Sequence, residues 1–310
     1  MLNKQQLSKI GIGTWGIGGY AERNPNNDDK KQIEALVYML QNGLNYIEIN
    51  YWTAQGHSFE LVKEAIDQSG VKRGDIFLSQ SIYAYTAPDL DASKKELEDT
   101  LKLFGTDYID SLALSSGLVE AIGQDNVFSW LKQLISEKKI RFVNLNNPSL
   151  EQLQSAHKVL GESLFSIEIG YNFEIRENDD SGILGYATKN GILPVIYQPL
   201  RRNRTANHNW PLLVELSKKY SKTQNQVLLN WIVSLGYLPL TKSESIDHIK
   251  EHLGSLSFQI DQSDLDRMTQ FRPPNYKKPQ VYWGAQGEGV RIDQLSNVFD
   301  DDYTKQQAGE

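Results

Sequence analysis

The feature that most restricts the fold is an alternation of two periodicities along most of the chain. Short runs rich in β-branched and aromatic residues recur at Lys9–Thr14, Tyr46–Asn50, Asp75–Ile82, Tyr108–Leu114, Ile140–Leu145, Phe165–Tyr171, Leu193–Tyr197 and Leu238–Thr241. Between them lie longer segments with helical spacing: Asp28–Gln41, Ser58–Gln68, Ala92–Phe104, Asn126–Lys138, Leu150–Leu160, Ser181–Lys189 and Pro211–Tyr220. Asn225–Ser234 reads as an extra helix, and Ile246–Leu253 follows the last strand. End signals support the helices, with Asp91-Ala-Ser and Asn147-Pro-Ser before two of them and Gly43 and Gly105 after others. About eight strand–helix units in one chain predict an α/β fold, a closed (β/α)8 TIM barrel. A doubly wound sheet with a second domain is the alternative. No Pro/Ser-rich linker or charge break divides the chain, so a single barrel is expected over residues 1–271. Residues 272–310 differ: they are polar, carry Pro273-Pro274 and Tyr282-Trp283, and lack a clear period. They read as an irregular C-terminal extension over a barrel end, with a partly disordered tail as the alternative.

Composition removes several function classes. Of 310 residues, 39% are hydrophobic and 23% charged, which is a globular balance. A net charge of −7 argues against a broad nucleic-acid surface. The absence of cysteine excludes disulfides, thiolate metal sites and cysteine nucleophiles. No window has the length and apolarity of a membrane span, and the N-terminus lacks the apolar core of a signal peptide. A cytoplasmic protein with a small-molecule ligand or a protein partner is expected, without nucleic acid or membrane.

Two motifs match patterns whose context is wrong. Gly11-Ile-Gly13-Thr-Trp-Gly16 fits GxGxxG, but the dinucleotide fingerprint needs a helix to start at that turn. Here a loop continues, and helical spacing resumes only near Asp28. His248-Ile-Lys-Glu251-His252 fits a zinc pattern, yet no further His lies downstream to serve as a third ligand, and a polar helix face is the simpler reading. No metal is expected. Arg201-Arg-Asn-Arg204, just past a strand, is a candidate anion site at a barrel mouth.

An ordered set of segments resembles the aldo-keto reductase superfamily. It comprises Ile10-Gly-Ile-Gly-Thr-Trp15, Gly43-Leu-Asn-Tyr-Ile-Glu48, Gly56-His-Ser-Phe-Glu-Leu61, Tyr108-Ile-Asp110, Lys139-Ile-Arg-Phe-Val143, Tyr171-Asn172, Tyr197-Gln-Pro-Leu200, Gln226-Val-Leu-Leu-Asn-Trp231 and Thr241-Lys-Ser243. The resemblance implies a (β/α)8 barrel that reduces carbonyls with hydride from NADPH. It also implies four catalytic positions: a tyrosine that gives the proton, a lysine that lowers its pKa, an aspartate paired with the lysine, and a histidine that orients substrate. All four are substituted. They fall at Thr53, Ser81, Glu48 and Ser115, respectively. Hydroxyls are weak acids, and Ser81 carries no charge to activate a neighbour. General acid–base catalysis is typically worth roughly 10²–10⁴-fold, so the resemblance implies a catalytically impaired or inactive member. Glu48 is expected to find hydroxyl donors such as Thr53 or Ser81, or to take up a proton. The alternative is a working carbonyl oxidoreductase with an unfamiliar proton donor, such as Tyr51 or a water held by Glu48.

The implied cofactor positions are eroded less. The nicotinamide end falls at Asn146, Asn147, Glu168 and the stacking Tyr197, with Trp15 near the mouth. Gln198, Leu200 and Arg202 are further implied cofactor positions, and the adenosine-phosphate end falls at Lys242, Ser243, His248, Glu251 and His252. Ionised Glu168 can accept from an amide but cannot donate to it, and His248 lacks the guanidinium fork that grips a 2′-phosphate. NADP(H) binding that is weaker than in active relatives is therefore expected.

Overall fold

Eight parallel strands close on one another in chain order in the computed structural model, which describes residues 2–274. They are β1 (Gly11–Ile12), β2 (Tyr46–Asn50), β3 (Phe77–Ile82), β4 (Ile109–Ser115), β5 (Ile140–Asn146), β6 (Leu164–Gly170), β7 (Leu193–Tyr197) and β8 (Leu238–Thr241). The fold is the expected (β/α)8 barrel, with helices returning the chain on the outside. β1 is shorter than the sequence pattern suggests. At Gly11 a Cβ would stand 2.7 Å from the Leu238 side chain and 2.8 Å from that of Leu240, so a larger residue there would displace both leucines on β8.

Three helical details depart from the sequence pattern. A helix at Ser116–Ile122 follows β4 at once, capped by Ser115 and separated from Gln124–Ser136 by Gly123. The helix expected over Ser181–Lys189 begins at Ile183, after Gly182 with φ 78°, and a short helix, Glu177–Asp180, precedes it. A further helix, Gln262–Gln270, buries Met268 and Asp264; its many polar side chains hide it from periodicity. The C-terminal extension from residue 275 onward lies outside the described residues.

The barrel interior is layered. Tyr46, Phe77 and Phe165 fill the base with Val195, Leu238 and Leu240, and Leu2 closes it from below. The rings stack, with centroids 5.2 Å apart for Tyr46–Phe77 and 5.0 Å for Phe77–Phe165. Above that plug the interior turns polar. Cα partners in parallel strands face the same side, and the register runs Glu48–Ser79–Ser111 across β2 to β4. It continues with Asn144–Ser166 and Asn146–Glu168 across β5 and β6. The hydrophobic bulk of the protein packs elsewhere, between the outer strand faces and the helices.

Candidate active site

The C-terminal ends of the strands open into a groove of about 920 Å³. A cavity of this size suits a large ligand. Its floor carries Glu48, Asn50 and Glu168; one wall carries Trp15, Trp52 and Tyr83, and the other Asn147 and Tyr197. From there it runs past Arg202 and Lys242 to His248, Glu251 and His252.

The four tetrad-equivalent positions sit at one end of the barrel but do not converge on one point. Glu48 reaches the groove floor and is 4% exposed. Thr53 does not line the groove: it is fully buried, and both its N–H and its hydroxyl donate to Asn50 Oδ1, at 3.0 and 2.8 Å. Ser115 spends its hydroxyl as a helix cap, accepting from the Leu118 N–H at 3.4 Å. Ser81 donates toward Glu168 Oε2 at 3.4 Å. The expectation that Thr53 or Ser81 would serve Glu48 is thus corrected. Asn50 serves it instead, donating from Nδ2 to Glu48 Oε1 at 3.1 Å, with the Thr14 backbone N–H as a second donor. The reason is strand parity: Asn50 lies two residues after Glu48 and shares its face, whereas the chain turns away before Thr53.

Neither floor carboxylate has a cationic partner among the described residues. Burial is the main cause that pushes Glu48 up to about 7. Burial and then the nearby Glu48 carboxylate push Glu168 well above the usual carboxylate range. Glu168 has only long contacts, from Ser81 at 3.4 Å and from Asn144 Nδ2 at 3.5 Å. Around them Ser79 Oγ, Ser111 Oγ, Asn144 Oδ1 and Ser166 Oγ are buried without a well-formed hydrogen bond among the described residues. An unpaired buried charge is costly, so this layer favours the neutral carboxyl form.

A hydrogen-bond chain crosses the mouth above the floor. Tyr197 Oη donates to Asn147 Oδ1 at 2.8 Å, Asn147 Nδ2 to Asn146 Oδ1 at 2.7 Å, and Asn146 Nδ2 to Tyr83 Oη at 2.9 Å. Gly170 lets the Tyr197 ring close over it, since a Cβ there would meet the ring at 3.0 Å. Tyr83, which the motif comparison passes over, stands two residues after Ser81 and follows the same alternation as Phe77, Ser79 and Ser81. That parity is the signal that could have found it. Burial first, then Glu168 and Glu48, raise its pKa further above the phenol range.

Of the expected cofactor positions, all but Asn146 line the groove; Asn146 reaches Tyr83 from behind. Arg202 stacks on Tyr20 at 5.0 Å. Lys242 Nζ donates to Gly16 O at 3.2 Å and pairs with Glu244 at 3.1 Å, tying the loop after β8 to the loop after β1. Glu251 accepts from Thr223 at 2.6 Å, and burial holds His252 down at about 4, a neutral ring. Two more residues, Gln224 and Asn225, line this end. Their amide nitrogens are used by Asn209 and Asn203, at 2.9 and 2.8 Å, leaving Gln224 Oε1 and Asn225 Oδ1 buried without a partner among the described residues. Orphaned acceptors beside a groove suit a ligand rich in N–H and O–H donors, as a dinucleotide is.

Comparison with known proteins bears on the family and the fold. The model of the aldo/keto reductase family matches residues 9–273. The NADPH-dependent alpha-keto amide reductase of Saccharomyces cerevisiae is 26% identical over 262 residues, covering 81% of this chain and 82% of that protein. The aldo-keto reductase YhdN of Bacillus subtilis is 31% identical over 210 residues, 64% of this chain and 60% of its own. Among solved structures, a thermostable aldo-keto reductase bound to epalrestat superposes with a TM-score of 0.77 at 25% identity, covering 85% of this chain and 94% of that one. An aldo-keto reductase of Klebsiella pneumoniae in complex with NADPH gives 0.72 at 22% identity, over 89% and 94% of the two chains.

Proposed function

The chain belongs to the aldo/keto reductase family, and on that premise we propose that it binds NADP(H) along the groove and reduces generic aldehydes poorly. The residues present fit the cofactor along most of its length. Tyr197 offers a ring face, Arg202 and Lys242 bring positive charge to the phosphate path, and Gln224 and Asn225 offer unfilled acceptors at the adenosine end. At the nicotinamide end Asn146 and Asn147 are engaged with tyrosines, and Glu168 can only accept when ionised, which supports weaker binding than in relatives with the usual residues. When bound, the cofactor would supply hydride to a carbonyl carbon.

One observation carries the impaired reading. Where a phenol and an ammonium group would meet, Thr53 is turned into the protein and Ser81 leaves two carboxyl groups without a cation. Burial and the two carboxyls push Tyr83 upward, and the Asn146 hydrogen bond offsets only part of that. A cytoplasmic location and a small-molecule ligand remain part of this reading, supported by a cysteine-free sequence and a groove of ligand size. No helix among the described residues is long and apolar enough to cross a membrane.

The test is a titration with NADPH followed by a carbonyl panel. Trp15 and Trp52 line the groove, so binding should quench tryptophan fluorescence. No heat, fluorescence change or thermal shift at millimolar NADPH would remove the cofactor from the reading. Turnover of ordinary aldehydes at about 1 s⁻¹ or faster would overturn impairment.

A further inference from the structure

The segment after β7, residues 198–210, supplies much of the groove lining, including Gln198, Arg202, Asn203 and Asn209. Its backbone is held in an unusual form. Gln198, Arg201, Arg202, Asn203 and Asn209 all have φ between 47° and 70°. None is a glycine, so each stands in a region that L residues disfavour. Backbone hydrogen bonds among the described residues do little to fix the segment from outside. Those it makes are local, such as Arg201 N–H to Gln198 O at 3.3 Å and His208 N–H to Arg204 O at 3.0 Å. A strained stretch with so few backbone ties persists only where its surroundings over-determine it.

The strongest tie comes from beneath. Glu174, in the loop after β6, is 6% exposed, and four donors spread through the segment converge on its carboxylate. Thr205 Oγ1 donates to Oε2 at 3.0 Å, and Arg201 pairs with the same oxygen. Trp210 Nε1 donates to Oε1 at 2.6 Å, beside His208 Nδ1. Burial opposes ionisation here, but the bonds from His208, Trp210 and Arg201 hold the carboxyl below the usual carboxylate range. Glu174 is itself fixed in place. Asn172 Oδ1 accepts from the N–H groups of Glu174 and Ile175, at 3.0 and 2.9 Å. Its neighbour Phe173 is fully buried and stacks on Phe271, with centroids 4.2 Å apart. By contrast, the ties from Asn225 and Gln224 reach Asn203 and Asn209, both exposed.

We propose that Glu174 is a positioning residue for the groove: it holds residues 198–210 in their groove-lining form before any ligand arrives, and so sets how tightly a dinucleotide is kept there. Glu174 does not line the groove and acts through the segment. The two consecutive arginines show how. Arg201 pairs with Glu174, while Arg202 lies over Tyr20 at 5.0 Å, beside the phosphate path proposed above. Anchoring the first fixes where the second stands. A wall already in place loses little freedom on binding, whereas a loosened one must be ordered by the ligand. The effect on a dinucleotide rests on the proposed function; the holding role does not.

The experiment separates the two. Amide hydrogen exchange of the full, ligand-free chain is followed by mass spectrometry for the parent, Glu174→Gln, Thr205→Val and Trp210→Phe. Glu174→Gln keeps the side chain's shape but turns an NH2 group toward donors. Thr205→Val and Trp210→Phe each withdraw one donor, and they carry the test if Glu174→Gln does not fold. Peptides from 198–210 should exchange about tenfold faster in Glu174→Gln and less so in the other two, while strand peptides keep parent rates. Parent rates in the segment of every folded variant overturn the holding role. Faster exchange spread evenly over the barrel overturns it too, because that marks general destabilisation. Calorimetric titration with NADPH then reads the consequence: Glu174→Gln should bind it about tenfold more weakly than the parent. Equal affinity in a variant whose segment has loosened overturns the effect on the ligand. If the parent binds no NADPH, the proposed function falls together with that effect, and the exchange rates alone decide the holding role.

Discussion

The two halves of the barrel mouth treat their polar groups differently. On the β7–β8 side and the helices after it, side chains bond one another or line the groove, and Gln224 Oε1 and Asn225 Oδ1 are left over as acceptors. On the β2–β6 side, two carboxyls and a ring of hydroxyls are buried with little to bond. Binding draws on many modest contacts spread along a groove, so replacing one of them leaves the rest in place. Proton transfer draws on a matched acid and cation, and replacing the cation strands its anion.

The largest expected effect tests whether the β2–β4 side alone limits activity. Glu48→Asp, Thr53→Tyr, Ser81→Lys and Ser115→His together should raise NADPH-dependent reduction of an activated aromatic aldehyde by roughly 10²-fold or more. Each single change should do little, because such residues act as a unit. Thr53→Tyr alone also crowds a fully buried site. NADPH absorbance, with melting curves for every variant, reads this out. A quadruple variant that folds, binds NADPH and stays as slow as the parent would move the defect to the cofactor side.

Stability against pH comes next. A carboxyl whose folded-state pKa is raised stabilises the fold fully below its unfolded value, and that contribution is lost as pH rises through the folded value. For Glu48 the window runs from about 4.5 to about 7. Glu48→Gln should therefore match the parent near the lower limit and exceed it at pH 8 by up to about 3 kcal/mol. Equal melting temperatures across that range would show that the carboxyl is not penalised and would erase the contrast between the two sides.

The recognition side should respond more gently. Lys242→Ala removes one charge from the phosphate path and its tie to Gly16, and NADPH affinity should drop by about tenfold, with a weaker salt dependence. Calorimetry at two salt concentrations checks it. The smallest change is His248→Arg. This exposed position lines the groove end. An arginine there should favour NADPH over NADH by a few-fold, through a bidentate grip on the 2′-phosphate. An unchanged preference would place that phosphate elsewhere.

Strand–helix alternation was enough to read the barrel and, through motif order, the strand ends that carry the site. Periodicity is a one-dimensional property of each element, and a closed parallel sheet is the way eight such units bury both faces of their strands. The helix at Ser116–Ile122 escaped because it starts directly after the last residue of β4, with no turn residue between. The residues that Glu48 and Glu168 depend on escaped for a different reason. Glu48 and Glu168 are separated by over a hundred positions, and their mutual repulsion exists only because β2 and β6 face one interior. Thr53 carries the same identity whether its hydroxyl enters the groove or bonds Asn50; the turn after β2 decides. Side-chain types and their order are written in the chain, so the fold and the family could be read there. Direction, burial and the company a charge keeps depend on distances that exist only after the barrel closes, and those set which group holds a proton.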